Sequence, residues 1–506
     1  MTVETYKTLD LKNAGTANLG DVTQMSLEDF RQCIISRVKA GMRLSNMFAA
    51  KKADTFILYA VLADDNESVL SVLSCESGKS YDSMTNDCPQ AHMFEREIYE
   101  QMGIMPEGHP WLKPVRFLND NSTENKNKAK TKRPEIGRTD YFEVTGEEVH
   151  EVAVGPVHAG VIEPGHFRFQ CHGERVFTLE ISLGYQHRGI EKAVLAGPHK
   201  RTIHHMEALS GDTTIGHTTA YCQNIEKLSN CTPPAKALAI RNIMLELERM
   251  ANHIGDLGAL GADVGYLPTS SYCGAIRGDM LNITAMVCGN RFGRGIVVPG
   301  GVAWDIDEKL AQEMVERVQT TGDYAKEAID MLWETPSVMA RFQGVGALSL
   351  QTCRDIGLVG PAARACGLHI DTRQDHNFGY PYATPEAAYE THTGDVYARA
   401  YVRWLEIAES LKFVKRQLQT LPNTPIYLEP GPIMANKIAV SLTEGWRGEV
   451  CHTAITDKDG NFSSYKIVDP SFHNWFGLAL ALREQEISDF PLCNKSFNLS
   501  YCGFDL

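Results

Sequence analysis

Two short polar turns, far apart in a chain of 506 residues, carry the spacings that best fit chemistry. In residues 208–226, ALSGDTTIGHTTAYCQNIE, Ser210, Thr213 and His217 stand at offsets of three and four. Near the C-terminus, ISDFPLCNKSFNLSYCGFDL sets Ser500 three residues before Gly503, with Cys502 between them. Offsets of three and four bring side chains to one face of a helical turn. That is metal-site spacing, but hydroxyls and a glycine stand where ligands would be. A glycine-punctuated polar turn with no chemistry would read the same way. Cys502 alone offers a weak soft-metal ligand or an inert packing thiol.

Three further clusters hold titratable groups. YQHRGIEK, residues 185–192, crowds His187, Arg188, Glu191 and Lys192 around Gly189, where a glycine permits close backbone approach. A glutamate in a partly dry setting there could exchange protons near neutral pH; an ordinary helix start has the same composition. Glu246, Arg249, His253 and Asp256 follow steps of three, four and three, so they share one helix face. That face reads either as solvated and ion-paired or as a buried polar row able to relay protons. GPVHAGVIEPGHFRF places His158 and His166 in a turn-rich loop that can project into a cavity; structural histidines in such a loop would read the same way.

The elements that must position these groups follow from periodicity. MSLEDFRQCIISRVKAGMRLSNMFAAK has helical spacing with Ser26 as N-cap, DTFILYAVLAD is strand-like, and HMFEREIYEQMG is a short helix ended by Gly103. IMPEGHPWLKPVRF, with three prolines, is a loop. Residues 119–137, NDNSTENKNKAKTKRPEIG, are polar and lysine-rich and cannot build a core, which makes them a linker. Two strand-like segments follow from Tyr141, YFEVTGEEVHEVAVGPVHAG and GHFRFQCHGERVFTLEISLGY. Thereafter the pattern turns helical. TPPAKALAIRNIMLELERMANHIGDLGAL is N-capped by Thr232 and presents an apolar stripe from Ile240 to Leu257; further helices fall near residues 309–334 and 393–419. The fold class predicted is α+β: an N-terminal α/β unit over 1–118, a linker over 119–140, and over 141–506 a mainly helical bundle led by a small β-sheet.

Composition bounds the function. Hydrophobic residues make up 43% and charged residues 22%, ordinary globular usage, with room for a large core. A net charge of −14 and a pI near 5.7 argue against a general nucleic-acid binder. No window approaches a membrane span, and no signal peptide is evident. The 13 cysteines include no C-x-x-C, which fits a reducing compartment and leaves this chain without an iron–sulfur or zinc motif of its own.

Several of these segments resemble known families. EREIYEQMGIMPEGHPWLKPVRF resembles the signature of the 30-kDa-type subunit of respiratory complex I. GPVHAGVIEPGHFRF, YQHRGIEKAV, ELERMANHIGDLGAL, VGPAARACGLHIDTRQDH and DPSFHNW resemble the large subunit of group 4 membrane-bound [NiFe] hydrogenases of the hydrogenase-4 and formate hydrogenlyase type. The homologous 49-kDa subunit of complex I shares the pattern more loosely. The family's metal site is written C-G-x-C-x-x-x-H and D-P-C-x-x-C, with soft thiolates holding nickel and bridging iron. On that pattern Ser210, Thr213, Ser500 and Gly503 occupy the cysteine positions, His217 keeps the histidine, and Cys502 is one residue out of register.

The resemblance therefore implies a large subunit that binds no cofactor itself and does not activate hydrogen. It implies that Glu191 is the proton-passing glutamate beside the metal pocket, and that Arg364, Asp371 and Arg373 are the charged residues of an R-x-x-G-x-x-x-D-x-R segment. It further implies partners: a small subunit carrying an iron–sulfur cluster, and antiporter-like membrane subunits that move protons or sodium. The chain itself would sit on the cytoplasmic face of the membrane. The complex I branch, which also lacks the cysteines, forms a quinone cavity at this place, so a quinone-reducing subunit is one alternative, although its cavity tyrosine falls near Gly211 here; a non-catalytic scaffold that couples neighbouring subunits is the other.

Overall fold

A computed structural model describes residues 6–52, 55–118, 135–158, 162–378 and 392–506. Most of the predicted linker lies outside the described residues. The N-terminal unit is a largely antiparallel sheet. Strand Val69–Ser77 pairs with Leu9–Leu11 on one side and Thr55–Asp64 on the other, and Thr55–Asp64 pairs onward with Arg43–Lys52. The short strand Thr23–Met25 adds in parallel to Val69–Ser77. The run TFILYAVLAD is apolar throughout because its central residues are buried on both faces of the sheet.

The helix predicted across residues 25–51 is shorter than its spacing suggested. Ser26 does cap it, accepting from the Asp29 amide at 3.1 Å, but the helix ends at Lys39. Gly41 then adopts φ +110°, a conformation that glycine alone reaches cheaply, and the chain leaves as strand Arg43–Lys52. Ladder pairing with Thr55–Asp64 outweighs helical spacing in that segment. Helix His92–Met102 ends at Gly103 as its sequence indicates.

The second unit opens with the expected small sheet, strands Val149–Val154, His166–His172 and Arg175–Ser182. His166 thus belongs to a strand and not to the loop before it. Helices Ala235–Asp263, Leu267–Cys288, Glu308–Trp333 and Val396–Gln419 pack in a ring to form the bundle. Pro234, in extended conformation, precedes the first of these with no side-chain cap, so Thr232 does not fill the capping role expected of it. The first two helices cross closely: a Cβ on Gly258 would lie 2.6 Å from the Cβ of Cys273.

Strands Lys437–Gly445, Gly448–Thr456 and Phe462–Val468 form an antiparallel sheet that periodicity did not reveal. Its fourth strand, Gly15–Asn18, comes from the N-terminal unit. The two units thus share one sheet, and a buried ion triad reinforces the join. Arg43 contacts Asp65 at 2.7 Å within its own unit and Glu449 at 2.8 Å across the interface. Removing one partner of such a group strands the others in a dry setting. Arg43→Met is expected to lower stability by about 3–5 kcal/mol, and Arg43→Lys by less, read as thermal midpoints. A wild-type midpoint for Arg43→Met would show that this triad does not hold the units together.

Candidate functional site

The two polar turns meet. Ser210 follows helix Thr202–Glu207, Thr213 precedes helix Thr214–Leu228, and Ser500 caps the last helix, Tyr501–Asp505, by accepting from the Gly503 amide at 2.9 Å. The hydroxyls of Ser210 and Ser500 hydrogen-bond each other at 2.9 Å although the residues lie 290 positions apart. Ser210, Thr213 and Ser500 are each no more than 1% exposed, so they enclose no open pocket. The space between them is taken by an ion pair. Arg447 donates to both oxygens of Asp212, at 2.6 and 2.8 Å. The same guanidinium reaches Thr213 Oγ1 at 3.3 Å and Ser210 Oγ at 3.5 Å. The ring of Trp446 lies 3.8 Å from the Arg447 guanidinium carbon.

The fourth position is closed differently. A Cβ on Gly503 would sit 2.6 Å from Asp469 Oδ2, so the carboxylate fills the place of a side chain. These donors do not fit a nickel–iron centre. Hydroxyls are hard ligands, glycine offers none, and a fixed guanidinium stands where a cation would bind. Cys502 lies beside Ser500, Sγ to Oγ 3.4 Å, but burial pushes its thiol up to about 11, so it stays protonated.

His217 points away from the hydroxyls into a second buried chain. Its Nε2 lies 2.9 Å from Asp469 Oδ2 and its Nδ1 lies 3.1 Å from His452 Nε2. His452 Nδ1 is 3.0 Å from the Tyr465 hydroxyl. Burial would raise the Asp469 carboxyl, but the His217 hydrogen bond and the Arg447 charge outweigh it and hold the group below its ordinary range. Burial, together with the neighbouring His217, drives His452 well below the usual imidazole range.

The Glu246, Arg249, His253 and Asp256 stripe is buried, not solvated. What faces it is helix Val396–Gln419 and the segment around Arg364. Glu406 is the hub: it accepts from Arg364 at 2.7 and 2.9 Å, from Arg249 at 3.4 Å, and pairs with His253 at 2.8 Å. Arg364 also meets Glu444 at 2.9 Å and Asp371 at 3.5 Å. Arg373 bridges Asp371, at 2.5 Å, and Glu246, at 3.1 Å. Asp256 pairs with Arg403 at 2.9 Å. The row joins the turns through Asn498, whose amide nitrogen donates to Asp256 and whose carbonyl accepts from Arg447 Nε. Arg364, Asp371 and Arg373 therefore belong to this row and do not line the hydroxyl site.

Glu191 lies at the join of the two units. Its carboxylate accepts from Lys466 Nζ at 2.9 Å, from the Ile467 amide at 3.0 Å and from Gln101 at 3.3 Å. The loop histidines bind backbone: His158 Nε2 lies 3.0 Å from the Gly165 carbonyl and His166 Nδ1 lies 3.3 Å from that of Gly155. Sequence reasoning missed Arg447, Asp469, His452, Tyr465, Glu248 and Glu406. Asp469 had a signal, an Asp-Pro pair at a helix start. Asp212 stood in plain view inside SGDTTIGH.

Glu248 completes the site. It accepts from the Ile215 and Gly216 amides at 2.8 and 3.3 Å, in place of the missing cap on Thr214–Leu228. Burial pushes its carboxyl up to about 8; these amides pull the other way and the Asp212 charge adds to the rise. In the unfolded chain the group titrates near 4.5. The folded state therefore binds the extra proton between those values, and stability falls as pH rises through the window. Glu248→Gln should flatten the decline in thermal midpoint between about pH 5 and about pH 8. A variant with the wild-type slope would show that Glu248 is ionised throughout.

Residues 263–439 match the family described as respiratory-chain NADH dehydrogenase, 49 Kd subunit, and residues 22–128 the 30 Kd subunit of the same enzyme. The chain is similar to the carbon monoxide-induced hydrogenase of Rhodospirillum rubrum, 30% identical over 351 residues, covering 69% of this chain and 97% of that one. It is also similar to formate hydrogenlyase subunit 5 of Escherichia coli (strain K12), 28% identical over 449 residues, covering 84% and 77%. Its fold is similar to a chain in the structure of the membrane-bound sulfane sulfur reductase, an archaeal respiratory membrane complex, with a TM-score of 0.67 and 22% identity over 72% of this chain and 100% of that chain. Among the described residues, no helix is long and apolar enough to cross a membrane.

Proposed function

Because the chain belongs to the family of membrane-bound hydrogenase and complex I large subunits, with a complex I 30-kDa unit fused to its 49-kDa unit, we propose that it is the large subunit of a hydrogenase-4-like oxidoreductase complex that has given up nickel–iron chemistry. One observation carries this reading: the Arg447–Asp212 ion pair and the Asp469 carboxylate occupy the space between Ser210, Thr213, Ser500 and Gly503. A nickel–iron centre would have to displace a buried guanidinium from its carboxylate and would find no thiolate in exchange.

In this reading the chain works on the cytoplasmic face of a membrane through its partners. A small subunit supplies an iron–sulfur cluster for electron transfer, and antiporter-like membrane subunits move protons or sodium. The redox reactant, with quinone the class used by the complex I branch, meets the chain at the rim of the closed site and not between its hydroxyls. The charge row from Asp256 to Arg373 supports a coupling role, since Asn498 and Arg447 tie it to the two turns. A buried network of this kind has more than one proton arrangement, and a nearby change of charge shifts the balance among them.

Nickel analysis of the purified complex, paired with a hydrogen-uptake assay, tests the reading. Nickel far below one per complex and no uptake are expected. Nickel at one per complex would overturn it.

A further inference from the structure

The chain from Asp469 to Tyr465 has a property that the charge row lacks. Every group in it can both give and take a proton, and the groups stand in single file. Tertiary structure builds this line. His452 and Tyr465 lie on adjacent antiparallel strands, with Tyr465 directly opposite Ala454, so the two side chains are diagonal neighbours on one face of the sheet. His217 reaches that face from helix Thr214–Leu228, which packs on strands Lys437–Gly445 and Gly448–Thr456. His217 and His452 are fully buried, and Asp469 and Tyr465 are no more than 3% exposed.

The Asp469 end is anchored, which gives the line a defined direction. Asp469 Oδ1 caps helix Pro470–Ala481 by accepting from the Ser471 amide at 2.8 Å, which leaves Oδ2 facing His217. A carboxylate accepts only, so His217 must carry its proton on Nε2 and present a bare Nδ1. His452 must then donate from Nε2 and accept at Nδ1, and Tyr465 must donate to it. With Asp469 ionised, one pattern of neutral tautomers satisfies all three bonds.

The opposite pattern is provided for as well. If Asp469 carries a proton toward His217, both imidazoles must switch to donating from Nδ1, and the Tyr465 hydroxyl needs another acceptor. The amide oxygen of Asn224 is buried, has no hydrogen-bond partner, and belongs to the side chain beside Tyr465. The Asn224 amide nitrogen is already committed to the His452 carbonyl at 3.0 Å, which fixes the orientation of that side chain.

We propose that Tyr465, His452, His217 and Asp469 form a single polarised proton relay, in which protonation of Asp469 reverses both histidine tautomers together. The step balances with one proton. Tyr465 gives its proton to His452 Nδ1, His452 gives Nε2–H to His217 Nδ1, and His217 gives Nε2–H to Asp469. A proton from bulk solvent replaces the one that leaves Tyr465, so the net change is uptake of one proton and no tyrosinate or imidazolium is left in the dry interior. The relay would deliver a proton beside Ser500 and Gly503 whenever negative charge arrives there. That use rests on the coupling role proposed above; the existence of the relay does not.

The test reads tautomers in the resting complex without electron donors. The complex is labelled with 15N at histidine, and His217 and His452 are assigned by their loss in His217→Gln and His452→Gln. Nε2–H tautomers are expected at both positions. In Asp469→Asn, Oδ1 keeps the helix cap, so the amide NH2 faces His217 and forces it to accept. Both histidines should then become Nδ1–H tautomers. If His452 keeps its tautomer in Asp469→Asn, the relay is overturned. Should that variant fail to assemble, Tyr465→Phe keeps the ring and removes the hydroxyl alone. Exchange of the His452 Nε2 proton with deuterated solvent should then slow at least tenfold, and unchanged exchange would overturn the proposal. Neither readout depends on nickel, quinone or ion movement, so failure here leaves the large-subunit reading intact, and the reverse also holds.

Discussion

The Arg447 guanidinium is the fixed point of the molecule. It lies where two turns separated by almost the whole second unit cross, and its five donors are shared between them. Two bonds go to Asp212, weaker contacts go to Ser210 and Thr213, and Nε holds the Asn498 carbonyl. A buried cation cannot be left without partners, so each of these groups is constrained in position. Helix Thr214–Leu228, the C-terminal helix Tyr501–Asp505 and the strand turn that carries Trp446 are oriented about it. An ion pair ties these two segments together.

The charge row obeys the same rule on a larger scale. Glu406 takes bonds from two arginines and a histidine, and Glu246 from two arginines and Ser410. Buried ions contribute little net stability when fully paired, but losing one partner is costly. Such a row is therefore intolerant of single changes and sensitive to charge placed at its end, where Asp256 meets Asn498. The proposed relay from Asp469 to Tyr465 is of another kind: one carboxylate at its end, followed by imidazoles and a hydroxyl that stay neutral as their hydrogen bonds reverse. One chain thus carries two buried polar systems, with Arg447 touching both: the row through Asn498 and the relay through its field on Asp469.

Much of the scaffold was legible from periodicity. The stripe from Ile240 to Leu257 specified a long helix with one apolar face, and the final bundle helix was placed to within three residues at its start. Residues 40–50 were misread because their helical spacing is local, whereas the ladder that captures them depends on a partner strand. The C-terminal sheet was missed for the same reason. Its strands are buried on both faces over much of their length and show no alternation of polar and apolar residues.

By itself the sequence determined which residue types stand at the four converging positions, and hence that thiolates are absent from them. It also determined that Glu246, Arg249, His253 and Asp256 share a face, because helix geometry fixes spacing along one element. Only the tertiary structure decided what lies opposite those residues. Glu406 is 157 residues from Arg249 and 153 from His253, its two partners on the helix stripe, Arg447 is 235 from Asp212, and His452 is 235 from His217. The charge state of a buried group depends on its neighbours in space. The sequence could therefore name the groups at this site, while their partners, protonation and direction of hydrogen bonding came from the fold.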